Sequence, residues 1–198
     1  MIGDKQQKIR ARLKTCCVGI AGVGGLGSNA AISLIRAGVG SFVLVDFDNV
    51  EQGNLNRQYY FRDQIGAKKV DALKENFIRI NPSVSVGIHC EKLLPGSMTR
   101  YFKEVDVIVE ALDDAQTKIG FIEEVLQMLP DTPLVAASGV AGYGHSDRIS
   151  TRKVGNLYVC YDENAKSSDE DVLMAPKVCL MANWQANIVL EILLGEES

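Results

Sequence analysis

Histidine is scarce in this chain, and its cysteines lack the spacings of structural sites. The 198 residues include two histidines, His89 and His145, and five cysteines with no C-x-x-C pair. An odd cysteine count without such pairs predicts neither a disulfide framework nor a zinc site. Two histidines exclude any mechanism that needs several imidazoles. Free thiols, and no apolar stretch after the N-terminal charges, predict a cytoplasmic protein without a signal peptide.

Neither sign of charge is in large excess, and no long uninterrupted apolar run occurs. Lys and Arg number 21 against 25 Asp and Glu, which gives a formal net charge of -4. This balance argues against a protein that coats DNA or RNA, and 46% hydrophobic residues exclude a disordered chain. The most apolar stretch, 178–194, contains Asn183, Gln185 and Glu191. We therefore predict a core helix there rather than a membrane span, within a single domain over residues 1–198.

Short apolar runs alternate with segments of helical periodicity. We predict strands over 16–22, 41–48, 83–93, 105–112 and 133–139, separated by helices over 25–38, 66–81, 95–104 and 114–129. This alternation predicts an α/β, Rossmann-like three-layer fold with a mainly parallel sheet. After residue 146 the pattern changes to an antiparallel hairpin (147–151 and 156–162) that extends the sheet, an acidic loop (162–171) and a last helix from about 175 to 194.

The segment GVGGLG at 22–27 matches G-x-G-x-x-G between a predicted strand and a predicted helix. Glycines there permit a tight turn and let backbone N–H groups and the positive helix N-terminus approach a phosphate. Asp46 ends the second strand, where an acid accepts hydrogen bonds from a ribose. Close helix–strand packing is the alternative role of these glycines. A P-loop is excluded, because Ser28-Asn29 stands where Lys-Ser/Thr is required.

A long polar segment follows Asp46, where a dehydrogenase would have a short loop. It contains Arg57, whose forked donors suit phosphate oxygens, and the next helix contains Lys69. Asp113 and Asp114 follow the fourth strand, at the edge where parallel sheets bind ligands. A carboxylate there suits Mg²⁺, which takes one or two carboxylates together with phosphate oxygens. These residues favour a nucleoside triphosphate, with an NAD-dependent dehydrogenase as the rival.

The chain resembles the ThiF/MoeB-type sulfur-carrier adenylyltransferases, relatives of the ubiquitin-activating enzymes. The matching segments are GVGGLGSNAA, VDFDNVEQGNLNRQ, GAKKVDAL, ALDDAQTK and MAPKVCLMANWQANIVLEILLG, which run from about residue 17 to 195. The resemblance implies binding of ATP and Mg²⁺ and adenylation of the C-terminal glycine of a small ubiquitin-like sulfur carrier with a Gly-Gly end, with release of pyrophosphate. It also implies a homodimer, without membrane or DNA partners. The short form without C-x-x-C pairs is most similar to proteins that act on a ThiS-like carrier in thiamine thiazole synthesis.

The resemblance also implies roles for individual residues. The catalytic residues are Arg57, Lys69 and Asp113, with Asp113 as the Mg²⁺ ligand. The nucleotide-binding residues are Gly22, Gly24, Gly25, Gly27, Asp46, Asp48, Asn54, Arg57, Gln58, Lys69, Asp113 and Asp114. Many relatives carry asparagine where this chain has Asp114. A carrier carboxylate, with an unperturbed pKa of about 3.5, is already ionised at neutral pH and needs no general base, which agrees with the scarcity of histidine.

Several features of the family are missing or stay open. No zinc is expected, since the paired cysteines are absent. Cys160 and Cys179 flank the loop where relatives carry a cysteine that binds the carrier covalently; packing is the simpler role for both, which predicts an enzyme that stops at the acyl-adenylate. Arg10 and Arg12 are candidates for an arginine acting across a dimer, and His145 for a substrate contact. The alternatives are a molybdopterin-synthase or tRNA-modifying relative, and a non-catalytic carrier-binding subunit.

Overall fold

A seven-stranded sheet forms the centre of the computed structural model, which describes residues 2–165 and 171–195. The strands are β1 Cys17–Ala21, β2 Ser41–Val45, β3 Ser85–His89, β4 Val107–Glu110, β5 Leu134–Ser138, β6 Ile149–Val154 and β7 Leu157–Asp162. Their order is β3-β2-β1-β4-β5-β7-β6, and every neighbouring pair is parallel except β6 with β7. The Rossmann-like fold with an antiparallel extension is therefore confirmed.

Helices cover both faces of this sheet. They are α1 Ile2–Lys14, α2 Gly25–Ala37, α3 Lys69–Ile80, α4 Ala115–Met128 and α5 Ala175–Leu194. One apolar cluster packs α2, α3 and α5 against the sheet, and a second packs α4 and the segment around Phe102. β1 pairs with both β2 and β4, so the strand order reverses beside β1. Ligands bind at the carboxyl ends of the strands at such a reversal, which directs attention to that edge.

Two segments differ from the prediction. Residues 95–104 form no α-helix; only Met98–Tyr101 make a short 3-10 turn. Gly96 has a φ of 81°, which starts a turn, and Phe102 then packs edge-on against Phe121 with ring centroids 5.6 Å apart. In the hairpin, strand β6 continues to Val154, and the turn is made at Gly155, whose φ is 59°. Residues 166–170 of the predicted acidic loop lie outside the described residues.

Helix α5 is long and apolar enough to cross a membrane by length and composition alone. In the structure it packs on α2 and on the sheet, and its buried residues recur every three or four positions. One of them is Gln185, whose Nε2 donates to the carbonyl oxygens of Glu110 (3.0 Å) and Val135 (3.1 Å). The helix therefore ties β4 to β5, as expected of a core helix.

Candidate active site

The four glycines at 22–27, which span the turn after β1 and the first turn of α2, have different structural roles. Gly22 has a φ of 85°, and a Cβ there would lie 2.7 Å from the carbonyl oxygen of Ala111. A Cβ at Gly27 would lie 1.9 Å from the carbonyl oxygen of Gly22. A Cβ at Gly24 would meet nothing closer than Gln58 Nε2, at 3.7 Å. Packing therefore requires Gly22 and Gly27, whereas Gly24 leaves room for a ligand to approach the backbone.

The N-terminus of α2 is suited to an anion. Gly24 caps the helix without a side-chain hydrogen bond, and the first turn contains no acid. Its partial positive charge is therefore not neutralised by this helix's own residues. Arg57 lies beside it, because a Cβ at Gly25 would be 4.0 Å from Arg57 Cγ. The Arg57 side chain therefore passes beside the positive end of the helix.

Two side chains hold the glycine loop through Val23. Asp46 Oδ2 accepts a hydrogen bond from the Val23 amide (2.8 Å), and the Tyr60 hydroxyl donates to the Val23 carbonyl oxygen (2.7 Å). Burial raises the pKa of Asp46, opposed by the amide of Asp48 and the charge of Lys69. Burial, together with the two nearby acids, raises the pKa of Tyr60 well above its usual value, so its hydroxyl remains a donor. Tyr60 was missed in the sequence, where no spacing links it to Val23.

Lys69 lies close to Asp46, the predicted ribose-binding acid, and is paired with the neighbouring Asp48. Its Nζ is 2.6 Å from Asp48 Oδ2, and its side chain is only 7% exposed. The Lys69 amide also donates to the Asp48 carbonyl oxygen (3.0 Å), so backbone and side chain both fasten α3 to the end of β2. A buried ammonium held this way presents a fixed positive charge beside Asp46.

The segment that contains Arg57 is attached to the glycine loop by Asn29. Asn29 Nδ2 donates to the carbonyl oxygens of Gly25 (2.7 Å) and Arg57 (2.9 Å). Arg57 Nη1 donates to Gly53 O (3.0 Å) and Asn56 Oδ1 (2.8 Å), which leaves the other guanidinium donors available. The sequence analysis considered Asn29 only as evidence against a P-loop; its bridging role depends on the fold.

Asn54 and Gln58 occupy different surroundings in this segment. Asn54 Oδ1 accepts from the Glu51 amide (3.0 Å) and so shapes a 3-10 turn. Gln58 Oε1 is buried, and in the described part of the chain it receives no hydrogen bond. A buried carbonyl oxygen without a donor is costly, whereas the Nε2 of the same side chain lies nearest to Gly24.

At the end of β4, the acids divide between structure and solvent. Glu110 is fully buried; it pairs with Lys118 and accepts from the Leu112 amide (2.8 Å). Burial raises the pKa of Glu110, although Lys118 opposes this. Asp114 caps α4 by accepting from the Thr117 amide (2.8 Å), and the bonds from Thr117 lower the pKa of Asp114. Asp113 is exposed and forms no hydrogen bond with another described residue.

This donor set fits a Mg²⁺ ion shared with phosphates. Among the residues that the structure describes, no three His, Cys, Asp or Glu side chains cluster for a metal. A cation bound mainly by phosphate oxygens needs only one protein carboxylate, and Asp113 offers one. Glu110 is committed to Lys118, and Asp114 to α4. The role of Asp113 toward Mg²⁺ stays a prediction.

The two cysteines that flank the acidic loop have environments that disfavour thiolates. Cys160 is fully buried, and burial raises the pKa of its thiol to about 11. Burial also raises the pKa of Cys179, whose Sγ lies 3.5 Å from Asn29 Oδ1. Nucleophilic cysteines have lowered pKa values. Packing therefore explains both thiols as they stand in this structure.

The remaining candidates lie away from the glycine loop or have structural contacts. Arg12 Nε donates to the carbonyl oxygen of Leu193 (3.2 Å), which joins α1 to the end of α5, while Arg10 is exposed. His145 is exposed, with a left-handed φ of 52°. His89 stacks on Tyr101 with ring centroids 4.0 Å apart, so its ring packs against a neighbouring aromatic side chain.

The sheet, its switch point and the glycine loop define a Rossmann-like domain of the nucleotide-binding class. The family model described as "ThiF family" matches residues 1–198. The chain therefore belongs to the ThiF family.

Similar proteins agree with this assignment. The chain is 29% identical over 191 residues to adenylyltransferase and sulfurtransferase UBA4 of Candida glabrata, which covers 93% of this chain and 44% of that protein. It is 31% identical over 122 residues to ubiquitin-like modifier-activating enzyme 5 of Caenorhabditis elegans, which covers 55% and 29%. The chain thus spans less than half the length of these relatives.

Among solved structures, the fold is similar to that of E. coli tRNA N6-threonylcarbamoyladenosine dehydratase, TcdA, in complex with AMP. The TM-score is 0.86 at 20% sequence identity, over 94% of this chain and 89% of that one. At this identity the likeness establishes the fold.

Proposed function

We propose that this chain is an ATP-dependent adenylyltransferase that activates the C-terminal glycine of a ubiquitin-like sulfur carrier. One observation carries the proposal: the accessible backbone of Gly24 lies at a helix N-terminus that has no side-chain cap, beside the Arg57 side chain. Lys69 adds a buried positive charge next to Asp46. Membership of the ThiF family and the names of its relatives support the same activity.

In the proposed reaction, a carboxylate oxygen of the carrier attacks the α-phosphorus of ATP. A new P–O bond forms, the bond to the β-phosphate oxygen breaks, and pyrophosphate leaves with the electron pair. The carboxylate is ionised at neutral pH, so no proton has to be removed. Alignment and neutralisation of charge supply the catalysis, and Arg57 and the N-terminus of α2 provide both.

Other groups of the site hold the nucleotide in this proposal. Asp46 receives the ribose hydroxyls through lone pairs that its two amide hydrogen bonds leave free. Lys69 neutralises phosphate charge, and Gln58 Nε2, the end of its side chain nearest to Gly24, donates to a phosphate oxygen. Asp113 would hold Mg²⁺, which supplies charge neutralisation on the phosphates when bound.

A ThiS-like carrier in thiamine thiazole synthesis, action as a homodimer and a cytoplasmic location belong to this proposal. The raised thiol pKa values of Cys160 and Cys179 support an enzyme that stops at the acyl-adenylate and leaves sulfur transfer to another protein. The likeness to TcdA favours a tRNA-modifying relative as the second candidate within the same family.

The test is ATP–pyrophosphate exchange against a panel of ubiquitin-like carriers. Exchange is expected with a carrier that keeps its Gly-Gly end and not with one truncated by two residues. Arg57→Ala should reduce exchange about 100-fold or more, as loss of a charge-stabilising donor does. Arg62→Ala, an exposed arginine five residues on, is the matched control and should retain exchange. Exchange with no carrier in the panel would refute the carrier proposal, and activation of a carrier-free carboxylate or a tRNA base would favour the second candidate.

A further inference from the structure

A polar cavity lies at the amino edge of the sheet, opposite the candidate active site. It has a volume of about 560 Å³, and its lining includes Arg10, Lys14, Arg36, Ile80, Asn81 and Ser83. These residues come from the C-terminal ends of α1, α2 and α3, which directly precede the starts of β1, β2 and β3. The volume falls within the range of roughly 300–1,000 Å³ typical of small-molecule sites.

The cations around this cavity have no acidic partner among the residues that the structure describes. Within residues 2–165 and 171–195, Arg10, Lys14 and Arg36 form no ion pair, and no acid lines the cavity. The chain as a whole carries more acids than bases, with a net charge of -4. Three unpaired cations around one concave surface therefore make a local positive field that the composition does not predict.

Helix stability accounts for only part of this arrangement. Lys14 and Arg36 lie in the last turns of α1 and α2, where cations interact favourably with the helix dipole. Arg10 lies one turn earlier, four residues before Lys14, on the same face of α1. Like charges at this spacing repel each other and destabilise a helix. A bound anion would reverse that repulsion.

We propose that this cavity binds a small phosphorylated molecule with at least two anionic groups. The three cations would neutralise the phosphates. Asn81 Oδ1 already accepts from the amide (3.1 Å) and the hydroxyl (2.8 Å) of Ser83, so the Asn81 amide group keeps its two N–H donors for the ligand. Ile35 and Ile80 line the apolar part of the cavity.

The site is separate from the proposed nucleotide site. The strands between the two edges are five residues long, which separates the edges by roughly 15 Å. Helix α2 reaches both, with Gly25 at one end and Arg36 at the other. One ligand therefore cannot fill both places, and two molecules should bind at once.

The experiment is equilibrium dialysis with labelled inorganic tripolyphosphate. The wild-type chain should bind two equivalents, and the double variant Arg10→Gln/Arg36→Gln should bind one, with the lost site at least about tenfold weaker. Arg57→Ala should lose the other equivalent. The matched control Lys103→Gln/Arg152→Gln removes two exposed cations elsewhere and should still bind two.

The outcomes separate this proposal from the proposed function. If the glycine loop and Arg57 bind no phosphate, which would refute the proposed function, Arg57→Ala changes nothing, but Arg10→Gln/Arg36→Gln still removes an equivalent. The cavity proposal is overturned if this double variant binds as much as wild type, or if the control variant weakens binding equally. Binding of an RNA through these cations, without binding of tripolyphosphate, would also overturn the small-molecule site. Circular dichroism checks that each variant is folded.

Discussion

Lysines at the carboxyl edge of the sheet pair with acids, whereas the cations that line the polar cavity at the amino edge have no described acidic partner. At the carboxyl edge, each of three lysines pairs with an acid at or just beyond a strand end: Lys69 with Asp48, Lys118 with Glu110 and Lys177 with Asp162. The side chains of Lys69 and Lys177 are both 7% exposed. At the amino edge, Arg10, Lys14 and Arg36 are exposed and have no described acidic partner.

The difference separates cations that an acid of the chain holds in a fixed position from cations that no described acid holds. A buried lysine requires its acid, because an unpaired buried charge costs several kcal/mol. Each pair joins a strand end to the helix that follows it, and so holds the loops of the candidate active site in place. An exposed arginine without an acidic partner lowers the stability of the fold very little, so it can remain available to bind an anion.

Lys118→Met tests the carboxyl edge most severely. It leaves Glu110 fully buried without its ammonium partner, and we expect the free energy of unfolding to fall by about 3–5 kcal/mol. Urea denaturation measures this loss. The double variant Glu110→Gln/Lys118→Met carries no buried charge and should recover a large part of it. A double variant as unstable as Lys118→Met would contradict the explanation.

The same variant should depend on pH. Burial raises the pKa of Glu110, so the folded state holds this proton more tightly than the unfolded state does. Protonation therefore favours folding, and more strongly without Lys118. The deficit of Lys118→Met relative to wild type should be largest above neutral pH and shrink as the pH falls. A deficit that stays constant as the pH falls would show that lost packing, not the unpaired charge of Glu110, destabilises the variant.

Tyr60→Phe has a smaller expected effect, on the glycine loop itself. It removes the hydrogen bond to the Val23 carbonyl oxygen and should lower the free energy of unfolding by about 1 kcal/mol. ATP affinity should also fall, because Val23 directly precedes Gly24. Tyr59→Phe is the matched control, since the Tyr59 hydroxyl makes no described hydrogen bond. Equal losses in the two variants would argue against a specific clamp.

Arg10→Gln has the smallest expected effect, and the opposite sign. Removing one like charge from the Arg10–Lys14 pair should raise the free energy of unfolding by roughly 0.2–0.5 kcal/mol at low salt. The gain should vanish at high ionic strength, where the repulsion is screened. Thermal unfolding at two salt concentrations measures it, with Lys103→Gln as the control. Destabilisation by Arg10→Gln would mean that its stem contributes packing to α1.

Much of the candidate site could be predicted because it follows local rules. Glycines at 22–27 between a strand and a helix, and Asp46 at the next strand end, are read directly from spacing. The resemblance of the NLNRQ segment added Asn54 and Gln58. The helix predicted over 95–104, between β3 and β4, was wrong. The turn at Pro95-Gly96 and the burial of Phe102 outweigh the weak helical periodicity of this segment.

The sequence by itself determined the order of strands and helices, the position of the glycine loop and the shortage of groups for acid–base chemistry. Each of these depends on neighbouring residues, whose pattern is visible along the chain. Only the tertiary structure decided which charges are paired and which are free. Asn29 joins Gly25 to Arg57, and the ends of two helices bring Arg10 and Lys14 of α1 beside Arg36 of α2. Such contacts join residues distant in sequence, so they exist only once the sheet has brought the helices into register.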